Sequence, residues 1–353
     1  MGSGGADNVT LRLLENFDRT KYEVSVALMK SQGELFGHVP SDVNIVNLNK
    51  SSLYFTVIPL IKLIDSKAYD VVYATSSGMS IPVLLARWIS QRSEILTVVS
   101  ERSSLERRRA SSFKDKVIFK LKAWLTRKAD HVVVVSDAIR AEVIKYTGVT
   151  KSKVVRAYNP IVPSNLSKLM AEPVDDKTLS SANPKIMTIG RLEPVKNIDL
   201  LIKAFAKLQN NKVELHILGV GTQREKLVQL VAELKIVERV FFHGFQNNVF
   251  KYLNKANLYV LPSKFEGMPG ALIQAMACGK PCIASDCYTG PSELINHDMN
   301  GLLFPVGDIK TLTSQMQDLL GDAEKASRLG NQAKLSVPDY NYDAAIQSYF
   351  SFL

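Results

Sequence analysis

Short apolar runs alternate with stretches of helical period along nearly the whole chain of 353 residues. Runs that predict strands lie near 22–29, 43–48, 70–74, 94–99, 131–135, 185–189, 213–218, 240–242, 258–261 and 281–284. Stretches that predict helices lie near 6–17, 53–66, 77–89, 113–129, 137–146, 198–208, 223–234, 249–254, 270–278 and 310–320. This alternation is typical of parallel sheets, because a crossover helix must return the chain between strands. The predicted fold class is therefore α/β.

The alternation lapses between residues 159 and 184, where Pro, Ser, Asn and charged residues replace it. A chain of 353 residues exceeds what one typical core organises, so two domains are expected. We assign 1–160 to a first Rossmann-like domain, 161–184 to a linker, and 185–353 to a second Rossmann-like domain facing the first across a cleft. In such doubly wound sheets, ligands bind beyond the carboxyl ends of the strands.

The first predicted helix follows Met1-Gly-Ser-Gly-Gly, with no strand before it. A glycine-rich loop usually leaves a strand, so the first strand of this domain is expected to be missing from the sequence. Either the start is misassigned, the sequence is trimmed, or the sheet lacks that strand. Gly4 and Gly5 would either approach a phosphate or the acceptor in the cleft, or belong to a flexible terminus.

Composition argues against several classes of protein. No run reaches the roughly 18 uncharged apolar residues of a membrane-spanning helix, and the first residues do not read as a secretory leader. Three cysteines argue against a disulfide framework, and a metal site among them is the weaker alternative, because no histidine is near in sequence. Asp-x-Asp, the usual holder of a divalent ion on a nucleotide sugar, does not occur. We expect no metal and no cofactor.

The net charge of +10 is concentrated between residues 101 and 130, where ten Lys or Arg face four acids. A segment this basic implies an anionic partner, either phospholipid, polyprenyl phosphate or nucleic acid. Nucleic acid is not expected, because interleaved aromatic residues and any recognised module are lacking. The helix predicted at 113–129 carries an apolar stripe among its lysines, which suits an anionic membrane surface. The alternative is a packed domain helix with a solvated face.

Two cations follow the first predicted strand of the second domain, in Gly190-Arg191-Leu-Glu-Pro-Val-Lys196-Asn197. Arg191 offers a planar fork for a diphosphate, and Lys196 offers a compact charge at close range. Together they would neutralise a departing nucleoside diphosphate. The alternative is a solvated loop with two exposed cations.

One carboxylate, Glu266, lies in the turn after the strand at 258–261, where Gly267 and Gly270 open an apolar helix. Exposed N–H groups and the helix dipole favour an anionic phosphate at such a start. The carboxylate can accept hydrogen bonds from sugar hydroxyls, so a sugar attached to a phosphate fits this turn. The alternative is an ordinary strand-to-helix turn whose glycines serve tight packing.

Two further motifs are weaker. Gly219-Val-Gly221 follows a strand and either borders a base or forms a tight turn. It is not a dinucleotide fingerprint, because Arg224 occupies the third glycine position. Glu101 and Arg102 follow another strand and are candidates for contact with the transferred sugar or the acceptor.

Together the motifs resemble those of glycosyltransferase family 4, retaining enzymes of the GT-B fold, and bacterial surface-polysaccharide members in particular. The resemblance covers nearly the full chain, and each piece alone is unspecific, but the joint order is specific. The matching pieces are Gly-Gly-Ala-Asp at 4–7, Ala-Asp-His-Val-Val-Val-Val-Ser at 129–136, Gly-Arg-Leu at 190–192, Phe-Glu-Gly-Met-Pro-Gly-Ala-Leu at 265–272, Ala-Met-Ala-Cys-Gly-Lys-Pro at 275–281 and Asp-Cys-Tyr-Thr-Gly-Pro-Ser-Glu at 286–293.

The resemblance implies roles for individual residues. Arg191 and Lys196 would bind the donor diphosphate, and Glu266 would contact the donor sugar as the first acid of the family's Glu-x7-Glu motif. The residues expected to line the nucleotide sugar are Gly4, Gly5, Gly190, Gly219, Gly267, Met268, Pro269, Gly270, Ala271, Leu272 and Gln274. The last helix, near 341–353, would cross back onto the first domain. The family needs no metal.

Two positions depart from the family's pattern. Gln274 stands where the motif has its second Glu, so a charge-assisted hydrogen bond to the ribose becomes a weaker neutral one. Ser100-Glu-Arg stands where many relatives carry a histidine.

The expected function is transfer of a hexose or N-acetylhexosamine from a nucleoside-diphosphate sugar, UDP-linked, to a lipid-linked or polysaccharide acceptor with retention of anomeric configuration. The basic helix suggests a polyprenyl-diphosphate-linked acceptor, and hence a cytoplasmic enzyme bound peripherally at the inner face of the cell membrane. The alternative is a catalytically weak partner that binds a sugar nucleotide, which Gln274 and the missing strand would favour.

Overall fold

The computed structural model describes residues 5–33, 35–67, 69–92, 94–105 and 113–352, except for the side chain of Lys114. The chain divides into two compact units. The first unit comprises Met1–Pro160 together with Asp343–Leu353, and the second comprises Ile161–Tyr342. Both units contain parallel strands joined by helices, which confirms the α/β class predicted from the alternating pattern.

The described residues of the first unit form two parallel sheets. Strands β1 (Ser25–Leu28) and β2 (Asn44–Asn47) form one sheet. The other sheet has strands β3 (Val71–Ala74), β4 (Leu96–Glu101), β5 (His131–Val134) and β6 (Val154–Arg156) side by side in that order. The helices are α1 (Gly5–Asn16), α2 (Val57–Ser66), α3 (Ser80–Ile89), α4 (Phe113–Thr126) and α5 (Asp137–Thr147).

The second unit has one six-stranded parallel sheet. Its strands are β7 (Lys185–Ile189), β8 (Glu214–Leu218), β9 (Val240–Gly244), β10 (Leu258–Leu261), β11 (Cys282–Ser285) and β12 (Leu302–Phe304). Its helices are α6 (Leu166–Ala171), α7 (Ile198–Phe205), α8 (Arg224–Glu233), α9 (Phe250–Lys255), α10 (Gly270–Ala277), α11 (Pro291–Leu294), α12 (Ile309–Gly321) and α13 (Ala323–Leu335). Helix α14 (Tyr342–Phe350) follows.

The order of strands in the second unit is β12, β11, β10, β7, β8, β9. The chain therefore builds outward from β7 on one side and then restarts at β10 on the other. This reversal between β7 and β10 is the topological switch point of a doubly wound sheet. The central strands are apolar without interruption, because helices cover both faces of a parallel sheet. Ile186, Leu215, Val260 and Ile283 are accordingly fully buried.

Apolar spacing also explains how α1 packs in the first unit. Val9 and Leu13 lie four residues apart on one face of the helix and are buried. They join a cluster that includes Val98 of β4 and Val133 of β5. Tyr349 of α14 is fully buried in the same cluster, so the end of the chain packs within the first unit.

Some elements were not predicted from the sequence. Strands β6 and β12 have three residues each, which is too short for a recognisable apolar pattern in the sequence. Helix α13 is mostly polar and buries only three residues, so its apolar period is weak. The stretch 161–184, predicted as a linker, belongs to the second unit and contains α6. The side-chain amides of Asn248 and Asn254 donate to backbone oxygens of α6.

A buried polar chain crosses β8 and β9. His216 Nδ1 lies 2.9 Å from His243 Nε2, and His243 Nδ1 lies 2.8 Å from Asp176 Oδ2. The other nitrogen of His216 lies 3.3 Å from Glu214 Oε2. A shift in the β8–β9 register after Ile217 places His243 in this row of hydrogen-bonded side chains. Burial, followed by the charge of His243, lowers the pKa of His216 from 6.5 to about 4.

The lowered pKa of His216 predicts a pH-dependent loss of stability. In the unfolded chain His216 binds a proton near pH 6.5, whereas in the folded protein it does so only near pH 4. The contribution of His216 to the free energy of unfolding is therefore complete above pH 6.5 and declines as the pH falls toward 4. His216→Gln removes this titration. Urea unfolding should show the stability difference between wild type and variant shrinking from pH 7 to 4.5; a difference that stays constant contradicts the assignment.

Candidate functional site

The second unit brings together a cation and an acid that the sequence singled out. Lys196 follows β7, and Glu266 follows β10. Lys196 Nζ donates to Glu266 Oε1 at 2.7 Å. The side chain of Lys196 is 20% exposed and that of Glu266 is 8% exposed, so solvent can reach the pair only in part. Strands β7 and β10 are neighbours, and the pair therefore spans the switch point, where such sheets bind ligands.

Backbone hydrogen bonds hold the loops after β7 and β10 together. Lys264 N donates to Val195 O at 2.8 Å. Asn197 is buried in the left-handed conformation at φ 55°, and its side-chain amide donates to Pro262 O at 3.2 Å. Asparagine tolerates this conformation better than most residues. The buried amide therefore fixes the end of the loop that carries Lys196.

Glycine lets the loops after β7 and β8 approach each other closely. Gly219 has φ +135°, and a Cβ built there would lie 1.9 Å from Gly190 O. A Cβ at Gly221 would lie 2.5 Å from Leu192 O. Beside Gly190 runs the aliphatic stem of Lys196, 3.6 Å from where a Cβ would stand. Glycine at positions 219 and 221 therefore permits this close approach, and the loop after β8 supports the loop that carries Lys196.

Gly219→Ala should destabilise the fold through collision of backbone atoms. The matched control is Gly307→Ala, because Gly307 also has a positive φ, +90°, but no atom lies within 4 Å of the position that a Cβ would take there. Both variants incur backbone strain, whereas only the first meets Gly190. Overpacking of this kind typically costs ~1–3 kcal/mol. Urea unfolding should show that additional loss for Gly219→Ala, and equal losses for both variants contradict the contact.

The end of β11 and the loop after it contact the loop that carries Glu266. Thr289 Oγ1 donates to the backbone oxygen of Glu266, and Ser285 Oγ donates to the backbone oxygen of Ser263. Gly290 has φ +90°, and a Cβ there would lie 3.3 Å from the Cβ of Glu266. The carboxylate is thus positioned by a neighbouring loop as well as by its own.

Helix α10 begins beside this carboxylate. The backbone oxygen of Pro269 accepts from Leu272 N and Ile273 N. No acceptor among the described residues pairs with the backbone N–H groups of Gly267, Met268, Gly270 or Ala271. Free N–H groups and the positive end of the helix dipole favour an anion. The start of α10 therefore offers unpaired donors to an anion, directly after the loop that carries Glu266.

Burial raises the pKa of all three cysteines of the second unit. Burial raises the pKa of the Cys287 thiol to about 11, and the charge of Glu266 adds to the effect. Burial likewise raises the pKa of Cys278 to about 12, and the pKa of Cys282 is also raised. These cysteines are protonated at neutral pH and are not activated nucleophiles. Throughout the described ranges, no group of three or more His, Cys, Asp or Glu is arranged to hold a metal.

Two further predicted site residues, Arg191 and Gln274, have no described contact to the pair. Arg191 is exposed and lies next to Gly190, at the end of β7. Hydrogen bonds from Thr222 chiefly lower the pKa of Glu193, and the Arg191 charge contributes least. Gln274 is half-buried on α10, one turn after Gly270 and on the same helical face.

The first unit corrects one expectation. Glu101, predicted to contact sugar or acceptor, is 1% exposed and pairs with Lys122 at 2.5 Å. Arg102 donates to Thr75 O at 2.8 Å and to Asn159 Oδ1 at 2.5 Å. Both side chains are therefore engaged within the unit. Gly5 begins α1 with open space around it. Gly4 lies outside the described residues.

The basic segment is divided between packing and solvent. Lys122 is buried, and Arg127 Nε donates to Thr147 O at 2.5 Å. Lys128 Nζ lies 4.7 Å from the centre of the Trp124 ring, and Lys116 and Lys120 are exposed. The exposed apolar side chains of α4 are Phe113, Val117, Leu121 and Trp124. Arg107, Arg108 and Arg109 lie outside the described residues.

No helix in the described part of the chain is long and apolar enough to cross a membrane.

Sequence reasoning missed the residues that hold the site in place. The side chains of Asn197 and Thr289 donate to backbone oxygens of the loop after β10, and Gly290 has a positive φ where a Cβ would crowd Glu266. Asn197 at the end of a strand-to-helix loop was the available signal, because asparagine favours left-handed positions. No comparable signal marks Thr289, since its partner is a backbone oxygen 23 residues away.

Two family models match the chain. The model described as Glycosyltransferase Family 4 matches residues 3–165. The model described as Glycosyl transferases group 1 matches residues 172–336, which include every loop of the site described above.

Individual relatives cover different shares of the chain. The N-acetylgalactosamine-N,N'-diacetylbacillosaminyl-diphospho-undecaprenol 4-alpha-N-acetylgalactosaminyltransferase of Campylobacter jejuni is 27% identical over 95% of this chain and 92% of its own length. The lipopolysaccharide 1,6-galactosyltransferase of Escherichia coli K12 is 30% identical over 51% of this chain, which is 50% of its own length.

Solved structures share the fold. The Anabaena protein HepE, crystallised with UDP and glucose, is 21% identical and superposes with a TM-score of 0.80, over 99% of this chain and 95% of its own. The fold is therefore the GT-B type. With a family 4 domain at residues 3–165 and a group 1 domain at 172–336, the chain belongs to the glycosyltransferases.

Proposed function

We propose that the protein transfers a hexose or N-acetylhexosamine from a UDP-linked sugar to a lipid-linked acceptor, with retention of anomeric configuration. The observation that carries the proposal is the Lys196–Glu266 pair at the switch point, beside the free N–H groups of α10. HepE, which shares the fold, was crystallised with UDP and glucose, which supports a UDP-linked donor.

In this proposal the donor binds in the second unit. The diphosphate meets the ammonium of Lys196, the guanidinium of Arg191 and the N–H groups at the start of α10. The transferred sugar meets the carboxylate of Glu266, which accepts hydrogen bonds from its hydroxyls. The amide of Gln274, one turn along α10, donates to and accepts from the ribose hydroxyls.

Donor binding must rearrange the ion pair. With Lys196 Nζ and Glu266 Oε1 at 2.7 Å, each charge is already neutralised by the other. A diphosphate supplies a stronger anion for the lysine, and a sugar hydroxyl supplies a donor for the carboxylate. The pair therefore keeps both side chains aimed at the switch point until the donor separates them.

The two cations act on the chemical step. Negative charge grows on the leaving diphosphate as the glycosidic bond breaks, and Lys196 and Arg191 stabilise it more in the transition state than in the bound donor. The leaving phosphate oxygen takes the proton of the acceptor hydroxyl on the same face of the sugar, which retains configuration. The step requires no metal and no cofactor.

Lys196→Ala should lower kcat/KM by about 10²–10³-fold, because one preorganised charge at the leaving group is lost. Glu266→Gln should lower it by about tenfold or more, since a charge-assisted hydrogen bond to the sugar becomes neutral. The rate of UDP release in the presence of an acceptor measures kcat/KM for both variants.

Lys203→Ala is the matched control for the lysine. Lys203 lies on α7, is 44% exposed and pairs only at the surface, with Asp199 at 3.0 Å. Removing it should change kcat/KM little, because exposed ion pairs contribute little. A Lys196→Ala enzyme that matches this control in rate would contradict the donor site.

The acceptor and the membrane belong to the first unit in this proposal. The Campylobacter relative is named for a diphospho-undecaprenol acceptor, which supports a lipid-linked substrate. Phe113, Val117, Leu121 and Trp124 give α4 an exposed apolar stripe, with Lys116 and Lys120 beside it. Such a face binds an anionic bilayer surface through burial of its apolar side chains and through attraction between the lysines and the lipid charge. The protein would act at the cytoplasmic face of the membrane, bound peripherally.

Replacing both exposed lysines of α4, Lys116→Ala with Lys120→Ala, should weaken binding to anionic vesicles about thirtyfold. Each lysine near anionic lipid contributes about 1 kcal/mol, and the two together give that factor. Vesicle sedimentation at low salt measures the partition.

Arg127 is unsuitable for this test because it is bonded to Thr147 O. The matched control is the double variant Lys212→Ala with Lys226→Ala, which removes two exposed lysines of the second unit. Equal weakening in both double variants would contradict a specific role for α4.

Gln274 favours a second function, that of a partner which binds a sugar nucleotide and turns it over weakly. Its side chain offers the ribose an amide where the family has a carboxylate. Gln274→Glu separates the two functions: a large gain in UDP release would support the weak enzyme, whereas an unchanged or lower rate supports the transferase.

A further inference from the structure

The first unit contains a cavity of about 710 Å³, which the proposed donor site does not use. The volume lies within the range of about 300–1,000 Å³ typical of ligand pockets. Three helical segments enclose it: the short 3-10 helix Leu53–Thr56 with the start of α2, then α3, and then α4. The apolar side chains that line it are Leu53, Tyr54, Val57, Ile81, Pro82, Leu85, Ile118 and Phe119.

Four small or polar residues of the lining lie toward the strand ends, and two charged residues of α4, Asp115 and Lys122, line the cavity as well. Ser77 and Gly78 follow β3, whereas Ser103 and Ser104 follow β4. The carboxyl ends of parallel strands are where such sheets bind substrates. The cavity therefore runs from a substrate-binding edge of the sheet into an apolar space between helices.

The helical rim of the cavity is apolar and unusually exposed. Tyr54 is 68% exposed, and its neighbours Phe55 and Ile58 are 69% and 66% exposed. Exposed apolar groups that gather at one place mark an interaction site. Helix α4 contributes to the cavity and to the exposed apolar stripe: Ile118 lines the cavity, and the adjacent Val117, 51% exposed, lies on the stripe.

The geometry points to this cavity as the binding site for the polyprenyl chain of a lipid-linked phosphate acceptor. The inference rests on the proposed function. An amphiphile matches the lining, because its hydrocarbon chain fills the apolar space while its phosphate and sugar lie at the strand ends. A membrane acyl chain matches less well, because its head group is not a substrate and has no reason to reach that edge.

The test titrates farnesyl diphosphate, below its micellar concentration and without vesicles, into the full chain and follows binding by calorimetry. Ile118→Trp fills the cavity, whereas Val117→Trp adds comparable bulk on the exposed stripe of the same helix. Wild type and Val117→Trp should bind alike, and Ile118→Trp should bind at least about tenfold more weakly, which is 1.4 kcal/mol. Leu85→Trp fills the cavity from α3 and replaces Ile118→Trp if that variant does not fold.

The inference would be overturned by no binding to wild type or by equal binding to the filled and control variants. Equal affinity for dodecyl phosphate would overturn it too, because the cavity would then accept acyl chains in general. Displacement of the probe by inorganic diphosphate at equal concentration would also overturn it, because the chain would then add nothing. The titration contains no nucleotide sugar. Loss of transfer with probe binding intact would therefore refute only the proposed function.

Discussion

Lys196 and Glu266 are 70 residues apart in the chain, yet a parallel sheet brings their charged atoms within 2.7 Å. The meeting depends on strand order, because β7 and β10 become neighbours only when the chain reverses its direction of growth across the sheet. Every other feature of the candidate site lies around this pair. The start of α10 supplies the free N–H groups, and the loops after β8 and β11 support the pair from either side.

Backbone contacts, more than side chains, set the precision of the site. Gly219 passes so close to Gly190 O that no side chain fits there. Asn197 holds a left-handed turn with its own amide bonded to Pro262 O. Such contacts cost conformational freedom at a few positions and leave Lys196 and Glu266 with few alternatives. Preorganised charges act more strongly than mobile ones, because they need not reorganise as charge develops.

The sequence predicted what depends on local pattern. Alternating apolar runs indicated the α/β class, and the motifs around Lys196 and Glu266 indicated the loops that meet at the switch point. It could not predict pairing across the fold. Glu101 was a plausible site residue by its place after a strand, but Lys122, from the next helix, buries it in an ion pair. The same helix shows why patterns alone are ambiguous: Ile118 and Val117 are both apolar, yet one lines a cavity and the other faces solvent.

The central claim is that Lys196 binds the diphosphate of the donor while Glu266 binds its sugar, and calorimetric titration with UDP and with a UDP-sugar separates the two roles. For Glu266→Gln, we predict weaker binding of the UDP-sugar but UDP binding that is unchanged or tighter, because the lysine is released from its partner. For Lys196→Ala, we predict weaker binding of both ligands. Wild-type affinity for UDP in Lys196→Ala, or equal weakening of both ligands in Glu266→Gln, would contradict the claim.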